Sequence, residues 1–148
     1  MVHALNEAWR VARAEVLDIR PLIGEPQVIV RDRHGREWAC GGLFWNGGDP
    51  EGHPEADEAL RRVLAEDRFK IESETRFDWI DEYESAEELV ESVDEDWTSR
   101  SINEDTALKL AQAMEEAGTT PFIRQPIGVR LLIKKPGFWR EALEKPGF

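Results

Sequence analysis

Between Asp78 and Asp96 the chain carries ten carboxylates and no Lys or Arg. Acidic side chains at that density are what a hard cation such as Mg²⁺ uses, and Asp78, Asp81 and Glu82 are the three that could converge on one. The same run also reads as a solvated helical face, with Glu87, Glu88 and Glu91 early in a helix where the macrodipole favours negative charge. That second reading is the expectation, with no metal. The histidines His3, His34 and His53 show no HxH or HExxH spacing, so neither zinc ligation nor acid–base work is expected of them. A GxSxG nucleophile motif is absent. The single Cys40 has no CxxC companion and no internal disulfide partner, which leaves a buried, inert thiol. Gly41-Gly42 and Gly47-Gly48 lack the GxGxxG spacing between a strand and a helix that a phosphate or cofactor cradle needs. They read as a flexible loop.

These side chains sit on a chain whose 148 residues suit one domain, 1–148, with 135–148 as a C-terminal tail. A hydrophobic fraction of 41% with six Trp and six Phe supplies one ordinary core. No apolar run reaches the roughly 20 residues that cross a bilayer, and MVHALNEAWR lacks the layout of a signal peptide. A cytoplasmic protein with no membrane partner is expected. The net charge of −12 is uneven: residues 51 to 117 hold 22 Asp/Glu against 7 Lys/Arg, the remainder 9 against 12. Phosphate backbones are held by Lys and Arg, so nucleic acid and anionic membranes are expected to be repelled.

Residues 4 to 13 place Leu5, Ala8, Trp9 and Ala12 on one face of a helix. Glu15 to Leu22 reads as a largely buried strand ending at Pro21, and Gln27–Val30 with Glu37–Cys40 as a hairpin about Asp32-Arg33-His34-Gly35. Gly41 to Pro54 is expected to be a mobile loop, followed by a helix burying Ala56, Ala59, Leu60, Val63 and Leu64. Alternation from Phe69 to Trp79 predicts a half-buried strand. Ser85 with Glu88 forms a capping box ahead of Leu89, Val90 and Val93. Asn103 caps a helix burying Leu110, Ala111 and Met114 and stopping at Gly118, and Ile127, Val129, Leu131 and Ile133 mark a last strand. The repeat KPGF at 135–138 and 145–148 is too short to define an architecture.

Two segments, ALNEAWRVARAEVLDIRPL (Ala4–Leu22) and FKIESETRFDWIDEYESAEELVESV (Phe69–Val93), carry a resemblance. The first is similar to the helix and fifth strand of class I S-adenosylmethionine-dependent methyltransferases, without the Pro-Gly-Gly turn usual between "RV" and the strand. The second is similar to the strand and helix before their last strand. The likeness spans about residues 4–134 and resembles only the C-terminal half of that Rossmann-like fold. It implies an α/β (α+β) fold: a mixed, mostly antiparallel sheet with helices packed on it.

The glycine-rich turn and the ribose-binding acid of such enzymes belong to the missing half, and the ligand crevice lies at a switch point this chain lacks. No cofactor is therefore expected. In the resembling enzymes this half lines the acceptor-substrate side, which places Asp18, Arg20, Trp45, Trp79 and Tyr83 nearest a pocket. Core packing is the plainer reading of the aromatics, and Asp18 and Arg20 need partners if buried. The leading functional reading is a non-catalytic, methyltransferase-like binding or oligomerisation module. The alternatives are half of a split methyltransferase completed by another chain, and an α+β small-molecule-binding domain with a cavity among Trp45, Phe77, Trp79 and Tyr83. Because the fourth strand is missing, the strand at Glu15–Arg20 is expected to pair with the last strand on one side only. A homodimer, or cover by the 27–40 hairpin, would satisfy the other side.

Overall fold

The computed structural model describes residues 2–22, 24–47, 54–97 and 99–135. Its elements run α1 (Val2–Val11), β1 (Glu15–Pro21), β2 (Gln27–Arg31), β3 (Glu37–Gly42), β4 (Phe44–Trp45), α2 (Pro54–Ala65), β5 (Phe69–Glu82), α3 (Ala86–Asp96), β6 (Arg100–Ser101), α4 (Glu104–Ala113) and β7 (Thr120–Lys134). The fold is α+β: one sheet follows the order β1-β7-β2-β3 with β5 also on β7, a second pairs β4 with β6, and helices pack on the strands. The expected neighbour of β1, the last strand, is the one it has. The hairpin β2–β3 pairs with β7 antiparallel, Gln27 opposite Arg124 through Arg31 opposite Thr120, and does not cover β1. Contacts gather the described chain into two compact units, 2–20 with 54–76 and 128–135, and 21–47 with 77–127.

The first unit forms because α1 and α2 are amphipathic at helical period and β1 alternates at period two. Leu60, Val63, Phe69 and Leu132 make its core, with Leu5, Trp9, Val16 and Leu64 packed around them. Burying a side chain of this kind contributes about 1.5–3 kcal/mol. Pro54 opens α2 with Glu55 and Asp57 in its first turn, where negative charge is favoured by the positive end of the helix dipole. The helix ends with Asp67 at a left-handed φ of 58°, Asp67 N–H bonding Leu64 O and Arg68 N–H bonding Val63 O. That is a Schellman stop made with Asp in place of Gly.

In the second unit the hairpin turn is organised by Asp32. Its carboxylate accepts from the N–H of His34 and of Arg36, both at 2.8 Å, while Gly35 takes the positive φ of 81°. Val28, Val30, Cys40, Leu43, Tyr83, Leu89, Val93, Leu110 and Ile123 form the core.

Four expectations change. β1 is half-exposed: Val16 packs on the helices, but Leu17 and Ile19 are 61% and 57% exposed because nothing described lies over that face. β5 runs on to Glu82 and is exposed from Lys70 to Ile80, with only Phe69 buried near its start. Gly41-Gly42 end β3 and Phe44-Trp45 form β4, so four of the seven residues of 41–47 are strand, and 48–53, with His53, lie outside the described residues. Ala111 is exposed and Met114 caps α4, which ends at Ala113 before Gly118. The KPGF repeats fall in 135–148, of which only Lys135 is described.

Candidate functional site

Asp18 and Arg20 project from β1 on the side of Val16, and each finds charged partners in the first unit. Arg20 donates to Asp18 at 2.9 Å and lies 3.1 Å from Asp57, while Arg130 lies 3.3 Å from Asp18 and 2.7 Å from Glu74. The result is an alternating chain, Asp57–Arg20–Asp18–Arg130–Glu74. The hydrogen bond that Arg130 donates to Glu74 foremost, against the opposing effect of burial, raises the Arg130 guanidinium above its ordinary range. One defect remains: Arg20 Nε is 2.9 Å from Asp18 Oδ1 yet not aligned to hydrogen-bond it. Buried charges need such partners, so the chemistry of this pair is charge neutralisation.

Trp45, Trp79 and Tyr83 belong to the second unit. The Arg100 guanidinium sits 4.9 Å from the Trp45 ring centre and also donates to Leu43 O at 3.0 Å. Trp79 is exposed and lies 6.2 Å from Trp97 in a tilted arrangement. Tyr83 is buried, donates to Asp81 Oδ2 at 2.7 Å and is 3.3 Å from Ser92 Oγ. Burial above all pushes its hydroxyl up to about 12. The three carboxylates whose types could converge on a cation turn to different partners: Asp78 is 3.6 Å from Arg124, Glu82 is 3.1 Å from Arg31, and Asp81 holds Tyr83. Among the described residues no group of three or more His, Cys, Asp or Glu is placed to hold a metal ion.

Two cavities of the second unit take no wall from these five residues. A groove of about 580 Å³ runs between α3 and α4 and is lined by Ala86, Glu87, Val90, Glu91, Asp94, Glu95, Ala107, Leu110 and Ala111. A cavity of about 380 Å³ between β3 and α4 includes Trp38, Cys40 and Lys109. Burial pushes the Cys40 thiol up, against the pull of Lys109, which leaves it a poor nucleophile. Sequence reading noted the acidic run that walls the groove but not the groove, because it depends on how two helices meet.

The free edge of β1 is the remaining feature. Lys134 N–H bonds Ala14 O, and four residues further along each strand Asp18 and Arg130 are paired, so β1 and β7 run antiparallel in one register. Backbone groups alternate from side to side along a strand. With Ala14 turned to β7, the N–H and C=O of Leu17 and Ile19 point to the open side.

Gly41 and Gly42 sit against neighbouring side chains. At Gly41, with φ of 154°, an added Cβ would overlap Thr106 Oγ1, and at Gly42 it would overlap Glu25 Oε2. Their missing side chains serve close packing against Thr106 and Glu25. Compared with protein-family models, with curated proteins and with solved structures, the chain matches none. No helix among the described residues is long and apolar enough to cross a membrane.

Proposed function

We propose that this chain is a non-catalytic, methyltransferase-like domain that acts as a binding or oligomerisation module and forms a homodimer through β1. The observation that carries this reading is the strand itself. Among the described residues β1 has β7 on one side and no strand on the other, and the open side presents the backbone of two exposed aliphatics, Leu17 and Ile19. An unpaired, apolar edge is the surface that proteins cover, blunt or pair. A two-fold axis lets the same edge serve both subunits, with antiparallel β1 strands extending the sheet. Val129 and Leu131 lie beside Leu17 and Ile19 in the β7 register, which adds apolar area next to the seam.

Sedimentation equilibrium at micromolar concentration tests it. The expected mass is twice 17.0 kDa, and a clean monomer overturns the dimer. Leu17→Pro removes a donor that faces away from β7, a placement that edge strands tolerate. Subunits that separate while keeping their circular dichroism are expected. Calorimetry with S-adenosylmethionine tests the non-catalytic part, for which no heat is expected and a micromolar dissociation constant would overturn it.

A further inference from the structure

We infer that the groove between α3 and α4 is a docking site for a basic amphipathic helix of a partner protein, a surface separate from the β1 edge and independent of the reading above. Its floor is apolar: Leu110 is buried, Ala86, Val90 and Ala107 are half-buried, and Ala111 is exposed at the margin. Its wall is a set of carboxylates, Glu87, Glu91, Asp94 and Glu95, all exposed on α3. Among the described residues none of these four takes part in an ion pair, whereas Asp18, Asp32, Glu37, Glu74 and Asp105 each do. Glu87 with Glu91 and Glu91 with Glu95 are like charges four apart on the helix, which repel. Cations brought alongside would reverse the sign of that interaction.

The shape agrees with the charge. The lining residues of α3 run from Ala86 to Glu95, about 14 Å at helical rise. That is the length of two to three turns of a second helix, which would lay aliphatic side chains on the alanine-lined floor and carry Lys or Arg toward the wall. This is the helix-in-groove mode of recognition. A second copy docking through the same groove is a poor occupant, since it would set one carboxylate wall against another.

The test titrates the full chain, labelled for amide and methyl resonances, with an amidated probe helix of about 18 residues whose leucines share one face and whose flanks are lysine. Two controls accompany it: one with glutamate in place of lysine, and one of the same composition with the leucines scattered. Micromolar binding of the probe is expected, with shifts centred on Ala86, Val90, Ala107 and Ala111. Glu91→Lys and Ala111→Lys, both at exposed helical positions, should each weaken it by about tenfold, which is about 1.4 kcal/mol. Absence of binding, equal binding of either control, shifts centred elsewhere, or an affinity unchanged in Glu91→Lys would each overturn the proposal.

Discussion

Tyr83 is the chain's one tyrosine, so its ionisation can be followed without interference from another phenol. Its hydroxyl is buried against the carboxylate of Asp81, and in the folded protein it should titrate near 12, against 10.0 for an exposed phenol. Near-ultraviolet tyrosinate absorbance reads this directly, and a midpoint at 10 would show the ring open to water. Because the folded value is the higher one, the neutral phenol's contribution to stability is complete below pH 10. It is lost as pH rises from 10 toward 12. The Asp18–Arg20 pair makes a second prediction at this scale. Arg20→Met removes one of the two cationic partners of the mostly buried Asp18, which keeps Arg130, and the partner of the more exposed Asp57, and urea unfolding should show a loss of about 1–2 kcal/mol. Residue types alone pointed to Asp18 and Arg20 as groups needing partners. They did not point to Arg130, Asp57 or Glu74, which lie far away in sequence.

At the level of elements, local signals decided most boundaries. Ser85 Oγ accepts from Glu88 N–H at 3.1 Å, as its type and position lead one to expect. The return bond differs from a standard capping box, since the Glu88 carboxylate accepts from Glu84 N–H and not from the cap residue. Ser85→Ala should cost about 1 kcal/mol of stability by thermal or urea unfolding. The Gly41–Pro54 stretch shows where local signals mislead. Glycines there read as mobility, yet Gly41 is needed for close approach to Thr106 and for its positive φ. Gly41→Ala should cost more than about 2 kcal/mol, combining backbone strain with overpacking. Thr106→Ala in the same chain should restore only part, because the strained φ persists.

For the whole molecule, charge is the dominant variable. A net charge of −12 sets up repulsion across the surface at neutral pH, which salt screens within about 10 Å at 0.1 M. Raising sodium chloride from low ionic strength should raise Tm, and a falling Tm would mean that the ion-pair chains outweigh the repulsion. Acid acts in the opposite direction. Hydrogen bonds from Arg124 chiefly, and then Arg31, hold Glu37 below its ordinary 4.5, while Asp32 lies below 3.8 because hydrogen bonds from Arg36 and His34 overcome its burial. Lowered values mean that both contribute stability above pH 4.5 and lose it as pH falls through their folded values. Unfolding curves collected downward from pH 5 should show that decline.

While the α+β class and the pairing of β1 with the last strand were expected through the resemblance to methyltransferases, period, caps and turn residues by themselves determined the four helices and the 27–40 hairpin. Those features depend on neighbours close in sequence or on side chains that must be hidden in alternation. What only the tertiary structure decided is which apolar faces are covered. Leu17, Ile19, Phe77 and Trp79 have the composition of buried positions and are exposed, because burial depends on what another element lays over them. The hairpin's choice of β7 over β1, and the groove between α3 and α4, arise in the same way, from contacts between segments that nothing in either segment specifies alone.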